Sequence, residues 1–313
     1  MRMKLEQLRS FEAIARVGHF TRAAEQLYLA QPSLSRQIAA LEADLGMALF
    51  HRGPSGATLT TAGELLLPIA RRMLGDAETA REQMNELAGL RRGRIRLGAP
   101  PTLCVSLVAD VLAAFRSAHP GVELHITEGG SRFLVDALNE SALDLALVVT
   151  RGSDPAVHGT ELIPLLTEEL VVVSAAGSAQ REELTLEELA NIPQVAFNRS
   201  YDLRVATEAA FSARGLEPLI AVEGAEMDAV LRFVERGLGV AVVPAMVVIG
   251  RPGLRSARLV NPSLTRTVNL ARRNDIAPSA ATAAMQDFIF TTVDRLAAPG
   301  TELARLVTPT QRR

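Results

Sequence analysis

The stretch from Phe20 to Leu45, FTRAAEQLYLAQPSLSRQIAALEADL, constrains this chain more than any other part of it. Its apolar residues recur at helical spacing in two runs. Phe20, Ala23, Ala24 and Leu27 predict a short first helix, and Leu34, Ile38, Leu41 and Leu45 predict a second, running from Pro32 to about Leu45. Proline suits a first helical turn, where its missing N–H would have no partner anyway. Gly46 tolerates the positive φ that ends a helix. The face opposite Leu34 and Ile38 carries Pro32, Arg36 and Ala40, flanked by Ser33 and Ser35, and no acidic residue appears before Glu42. Short side chains, hydroxyl donors and one arginine without a carboxylate are what a helix entering the major groove needs. A helical hairpin with a solvated face would show the same pattern, so the neighbouring sequence has to decide.

The neighbours supply the missing parts of a winged helix–turn–helix. A preceding helix, Leu5–Val17, lines up Leu5, Leu8, Phe11, Ile14 and Ala15. After Gly46, Leu49-Phe50 and Thr58-Leu59-Thr60 can pair as strands around the turn formers Gly53, Pro54, Ser55 and Gly56. The run AAEQLYLAQPSLSRQIAALEADLGMALFHR, followed by LTTAG, resembles the DNA-binding head of the LysR-type transcriptional regulators. The match rests on Ala23-Ala24, Leu27, Gln31-Pro32-Ser33, Ser35, Ile38, Leu41-Glu42, Leu45-Gly46, Leu49-Phe50, Arg52, Thr60 and Gly63. The resemblance implies a sequence-specific regulator that binds double-stranded DNA at an inverted repeat, with its helix–turn–helix at about 20–39. Thr21, Arg22, Gln31, Pro32, Ser33, Ser35, Arg36 and Arg52 are the expected DNA contacts. Ser33, Ser35 and Arg36 face the groove, and Thr21 and Arg52 hold phosphates.

Charge is distributed accordingly. The 313 residues carry a net −2, but residues 1–94 hold 13 Lys/Arg against 10 Asp/Glu, a net of +3, and the remainder 20 against 25, a net of −5. A mildly basic head on an acidic body suits phosphate contact by one domain, with more than one copy of the head engaged. Cys104 is the only cysteine, which excludes an intrachain disulfide and a cysteine metal cluster. The N-terminus is amphipathic rather than a signal segment, and no run of about 18 apolar residues appears, so a cytoplasmic protein without membrane contact is expected.

From Thr61 the helical pattern lengthens. Thr61-x-x-Glu64 has the form of a capping box. Leu66, Ala70, Met73, Ala77, Ala80, Met84 and Leu87 then alternate steps of four and three, the seam of a coiled coil, with Pro68 set to kink its start. This predicts a dimerisation helix over 61–90, following a head over 3–60. Gly89 and the basic run Arg91 to Arg94 mark its exit.

Beyond it, strands and helices alternate. Strands are expected at 95–97, 122–126, 143–149, 162–166, 169–175, 194–198, 219–223, 239–243 and 265–271, with helices at 103–118, 131–140, 185–190, 202–214, 226–237 and 278–297. This is an α/β pattern. The whole is an α + α/β chain: winged head, long linker helix, and a regulatory domain over 91–298. The resemblance implies a domain of periplasmic-binding-protein type. One subdomain spans about 92–162 with 267–298, the other about 163–266, and crossing segments near Pro164 and Arg266 form a hinge. It also implies a homodimer that forms a homotetramer, with RNA polymerase as a further partner. Residues 299–313 are expected to be a loose tail.

Ligands of open α/β sheets bind beyond the strand ends, at helix N-termini. Thr102, Ser131, Thr150 and Asn198, with Gly129 and Gly130, stand at such ends and match the positions that line the effector cleft in the family. Thr102 and Ser131 would equally serve as N-caps. Arg204 is a weaker anion partner, more in keeping with a solvated helix face. Glu128 and Glu226 oppose a carboxylate effector unless an arginine pairs them. No cofactor or metal is expected. None of His19, His51, His119, His125 and His158 lies in a zinc motif, no G-x-S-x-G elbow occurs, and Gly237-Leu238-Gly239 lacks a third glycine and precedes a strand, so an enzyme is not expected. A transport solute-binding protein would share the α/β halves but has no use for the head. An architectural DNA binder that senses nothing would differ in showing no ligand-dependent rise in melting temperature.

Overall fold

The computed structural model describes residues 3–53, 56–87, 93–151, 159–178, 181–199 and 201–310. The chain forms two compact bodies, Met1–Gly93 with Asp136–Asp144, and Arg94–Val135 with Leu145–Arg313. Pro54, Ser55, Gly89, Arg91, Arg92 and His158 lie outside the described residues, as does the side chain of Leu87.

In the first body, α1 (Leu5–Val17), α2 (Phe20–Gln26) and α3 (Gln31–Leu45) bury the predicted faces together: Leu8, Phe11, Ile14, Ala23, Ala24, Leu34, Ile38 and Leu41 are inaccessible or nearly so. Gly18 and Gly46 end α1 and α3 at φ 71° and 70°. Strands β1 (Phe50–Gly53) and β2 (Gly56–Leu59) pair antiparallel as the wing, and Phe50 packs its ring 5.4 Å from Phe11 and 5.7 Å from Phe20. Helix α4 (Thr61–Leu87) follows, continuous through Pro68. Its cap is not the expected Thr61–Glu64 box. Thr60 Oγ1 accepts from Gly63 N at 3.1 Å and donates to Ala48 O at 2.7 Å, so one hydroxyl ends the wing and starts the helix. Gly63 is required there, because a Cβ would lie 2.3 Å from Leu49 O.

The second body begins with β3 (Arg94–Ala99). A helix follows without a break in three parts: α5 (Pro101–Leu103), a wider π turn over Cys104–Val108, and α6 (Ala109–Ala118). By length and composition this helix could cross a bilayer, yet Leu103, Leu107, Val111 and Phe115 are wholly buried in the core. Next come β4 (Glu123–Glu128), α7 (Ser131–Asn139), β5 (Leu145–Thr150) and β6 (Thr160–Ala175). The expected strands 162–166 and 169–175 are this one strand of 16 residues. The chain continues through β7 (Glu183–Thr185), α8 (Leu186–Ala190), β8 (Gln194–Phe197), α9 (Asp202–Ala213), β9 (Ile220–Ala225), α10 (Met227–Glu235), β10 (Ala241–Pro244), a 3-10 turn over Ala245–Val248, β11 (Leu254–Val260), β12 (Thr265–Arg273) and α11 (Ala280–Leu296).

The sheet explains the two lobes. Strands run β4-β3-β5-β12-β6 in the first lobe. The later half of β6 pairs β10 and β11 in the second, with β7 beyond β11. The pair β8-β9 joins through a bridge between Gln194 and Val240. Strand β6 therefore belongs to both lobes, and β12 runs antiparallel beside its first half with a register shift between Val268 and Asn269, opposite Leu166 and Pro164.

The tail is not loose. Residues Glu302–Arg305 form a 3-10 turn, and β13 (Val307–Pro309) pairs with Leu166–Glu168 of β6, burying Leu303 and Val307. Two apolar anchors and an open edge of β6 outweigh the polar composition that suggests disorder. Leu303→Ala should lower the unfolding free energy of this body by about 2–5 kcal/mol in a urea titration; a loose tail would give no change.

Candidate functional site

A cleft of about 330 Å³ opens between the two lobes, within the size range of small-molecule sites. The first lobe lines it with Thr102 at the start of α5, with Glu128, Gly129, Gly130 and Ser131 between β4 and α7, and with Val149 and Arg151 at the end of β5. The second lobe contributes Tyr201, Asp202 and Leu203 at the start of α9, and β12 contributes Arg266. A larger concavity of about 470 Å³ is lined by the second lobe and Glu302. Two of its arginines are already ion-paired, Arg181 with Glu188 at 2.7 Å and Arg251 with Asp228 at 2.9 Å. The cleft between the lobes is therefore the better candidate, since only there can a ligand bias one lobe against the other.

The floor of the cleft is a buried polar chain. Glu168 on β6 and Arg266 on β12 face each other across the ladder, 0% and 4% exposed. Arg266 Nε donates to Glu168 Oε1 at 2.7 Å, and its Nη1 donates to Thr102 Oγ1 at 2.9 Å. Glu168 Oε2 accepts from Met246 N of the second lobe at 3.2 Å. Nη2 lies 2.6 Å from Glu168 Oε1 within the same ion pair and has no further hydrogen-bond partner among the described residues. Two charges without water need this arrangement, and removing one partner strands the other.

Above the floor, Tyr201 stacks on Phe197 with centroids 5.1 Å apart. Its hydroxyl is buried without a hydrogen-bond partner among the described residues. Burial pushes that phenol up to about 12, reinforced by Glu226, Glu128 and Asp202 against the opposing charge of Arg266, so the group is neutral and can donate or accept. Burial, then the charge and hydrogen bond of Glu128, likewise push the Cys104 thiol up to about 12, so it stays protonated and a poor nucleophile.

Thr102, Ser131, Gly129 and Gly130 thus line the cleft as expected, but neither hydroxyl is an N-cap. Pro100 caps α5, while Thr102 accepts from Arg266. Ser131 Oγ accepts from Val149 N at 2.9 Å, tying α7 to β5. Thr150 and Asn198 are not among the lining residues. Thr150 Oγ1 accepts from Asn269 Nδ2 at 2.9 Å, because its side chain points along the sheet rather than beyond its end. Arg204 is not on a solvated face: it is buried, 2.8 Å from Glu208 and 3.9 Å from Glu223. Tyr201, Asp202 and Arg151 escaped the sequence reading, since no periodicity marks a loop end; only their place beside a helix start could have found them.

On the head, Gln31, Pro32 and Arg36 are exposed and Ser33 and Ser35 half-exposed along one side of α3, with Thr21 and Arg22 exposed on α2. Gln31 Nε2 donates to Ser35 Oγ at 3.0 Å, and Arg36 reaches Pro32 O at 3.3 Å and Ser33 Oγ at 3.4 Å. Arg52 is 3.1 Å from Glu42 and lies 4.8 Å over the Phe20 ring. Glu42 Oε1 also accepts from Leu49 N at 2.8 Å, so it fastens the wing to α3. Tyr28, in the turn between α2 and α3, has φ 54° and is 97% exposed.

The seam of α4 needs correction. Ala70 is wholly buried in the head's own core, and Leu66 packs against it with Leu67 and Leu74. The exposed apolar row is Leu65, Ile69, Met73, Ala80 and Met84, with Ala77 half-buried beside it. The two rows share Met73, Ala77, Ala80 and Met84 and differ over the first turns, where the head's core takes Leu66 and Ala70 and leaves Leu65 and Ile69 outside.

Two family models match the chain: a bacterial regulatory helix-turn-helix protein model of the lysR family over residues 5–64, and a LysR substrate binding domain model over 88–293. An uncharacterized HTH-type transcriptional regulator, YybE of Bacillus subtilis, is 30% identical over 86% of this chain and 92% of its own length. A probable nitrogen assimilation transcriptional activator of Synechocystis is 30% identical over 95% and 93%. Among solved structures, full-length CbnR complexed with target DNA is 25% identical with a TM-score of 0.66, covering 93% of this chain and 100% of that one.

Glu168→Gln should cost about 3–5 kcal/mol of unfolding free energy, because it leaves the Arg266 charge buried and uncompensated. A loss below about 1 kcal/mol in urea unfolding would mean the pair is solvated and does not hold the cleft floor.

Proposed function

The chain belongs to the LysR family of DNA-binding transcriptional regulators with an effector-binding domain, and from that premise we propose which surfaces do the work. The cleft above Arg266 is the effector site, and its position between lobes that share β6 carries this reading. A ligand touching both Ser131 and Asp202 draws the lobes together about β6 and β12, a hinge closure. The lobes' movement alters the spacing of the heads on DNA. Coupling of this kind is typically worth about 1–3 kcal/mol and is reciprocal between effector and operator.

On DNA, Ser33, Ser35 and Arg36, with Gln31 and Pro32, enter the major groove, and Thr21, Arg22 and Arg52 hold phosphates. Arg52 approaches the backbone with part of its charge already answered by Glu42, which keeps sequence-independent affinity low. Two heads are needed, and the exposed row on α4 joins them: Leu65, Ile69, Met73, Ala80 and Met84 bury against a second copy, giving a two-fold dimer that reads an inverted repeat. The effector domains carry the dimer to a tetramer, RNA polymerase is the partner at the promoter, and the protein acts in the cytoplasm.

Ile69→Glu with Met73→Glu should give monomers on sedimentation and abolish gel-shift binding to the DNA upstream of the protein's own gene. A double variant that stays dimeric removes α4 from the interface. For the cleft, Gly130→Phe is the test, since a Cβ there meets nothing nearer than Asp202 Oδ2 at 4.0 Å and the ring would occupy the cavity. A metabolite that changes operator affinity several-fold in the wild type should lose that effect in Gly130→Phe, with basal DNA binding kept. Retention of the effect would move the site elsewhere.

A further inference from the structure

The charges lining the cleft are not those of a carboxylate site. Arg266, its deepest cation, is already paired with Glu168. Arg151 turns its Nη1 to the main-chain oxygen of Asp202 at 2.8 Å. Glu128 from the first lobe and Asp202 from the second both line the cavity, and neither carboxylate has an ion-pair partner among the described residues. They face the same space from opposite walls: Asp202 Oδ2 stands 4.0 Å from the Cβ position of Gly130, two residues after Glu128. Two unpaired carboxylates repel as the lobes approach, and a cation between them turns that repulsion into attraction.

Two further groups mark the other end of the ligand. Among the described residues the buried Tyr201 hydroxyl makes no hydrogen bond and the buried Arg266 Nη2 has no partner beyond its ion pair with Glu168, and a buried donor left without an acceptor is costly. Arg266 is only 4% exposed, so its orientation is fixed. Both groups can donate, and so can the Thr102 hydroxyl, whose oxygen already accepts from Arg266.

We propose that the cleft takes a small organic cation, a protonated primary amine seated between Glu128 and Asp202, whose other end presents a neutral hydrogen-bond acceptor to Tyr201 and Arg266. This rests on the reading of the cleft as the effector site and names its ligand class. The amine is the closing element, because it bridges a carboxylate of each lobe. A dianion of equal size meets both carboxylates unneutralised and is rejected.

The full-length wild-type chain is melted with ethanolamine, aminobutanol, putrescine, butanediol or succinate, each at the same millimolar concentration, and binding is titrated by calorimetry. Stabilisation by at least one of the three amines, most from the amino alcohols, is expected, with none from butanediol or succinate. Glu128→Gln with Asp202→Asn should still melt cooperatively and bind the amine at least about tenfold more weakly, the loss of a charge-assisted contact. Asp202→Asn alone serves if the double variant does not fold. No response to any amine, a larger response to succinate, or full amine binding in the carboxamide variants would overturn the proposal. Gly130→Phe separates the two levels: succinate binding abolished by Gly130→Phe refutes the cation class and keeps the cleft, whereas probe binding that survives it refutes the cleft reading itself.

Discussion

The regulatory body depends on one buried contact, the pairing of Glu168 with Arg266 on neighbouring strands. Charged groups at this depth are tolerated only when their remaining donors and acceptors are met. Here Thr102 meets Arg266 Nη1 on one side and the Met246 amide meets Glu168 Oε2 on the other, while Arg266 Nη2 has only the ion pair. The pair thus holds the start of α5 and the turn after β10 at fixed distances from the shared strand. The cleft walls stand on that base, with Arg266 on β12 lining the cleft beside the strand that both lobes share. The tail reinforces the same place, because β13 lies along Leu166–Glu168.

A comparable economy holds in the head. Glu42 closes α3 onto the wing through Leu49 and also answers Arg52, and Thr60 both ends the wing and caps α4. The exposed face of α3 is left with polar side chains that hydrogen-bond among themselves, and in the proposed complex those bonds would be exchanged for phosphates or base edges at little cost. The same α4 serves two masters: Ala70 and Leu66 complete the head's core, while Leu65, Ile69 and Met73 remain outside it.

Much of this was legible in the residues. The periods of three and four in Leu5–Val17 and Leu34–Leu45 name helices whose central positions, Leu8, Phe11, Ile14, Leu34, Ile38 and Leu41, are wholly buried, while the end positions differ: Leu5 is exposed and Leu45 half-buried. Gly46 marks a helix end for a conformational reason that any sequence displays. Periodicity failed where two answers share one pattern, as at Leu66 against Leu65 on α4, or where burial comes from distant chain, as for β13 against β6. The rule that ligands sit beyond strand ends names Thr102, Ser131, Gly129 and Gly130, and these four line the cleft. It does not name Tyr201 and Asp202, since their relevance depends on which loop of the second lobe faces the first. Arg266 was placed at the hinge, but its partner Glu168 has no local signal; the two meet only through the register of β6 and β12.

The central claim is that a ligand in the cleft moves one lobe against the other about β6 and β12. Spin labels at Phe133→Cys on α7 and Val205→Cys on α9, both exposed positions on helices whose first residues line the cleft from opposite lobes, are introduced in a Cys104→Ser background that removes the half-buried native thiol. Pulsed electron resonance should show the distance between labels shorten when a ligand that changes operator affinity is added, and remain unchanged in Gly130→Phe. A ligand that changes operator affinity while leaving this distance the same would contradict the account.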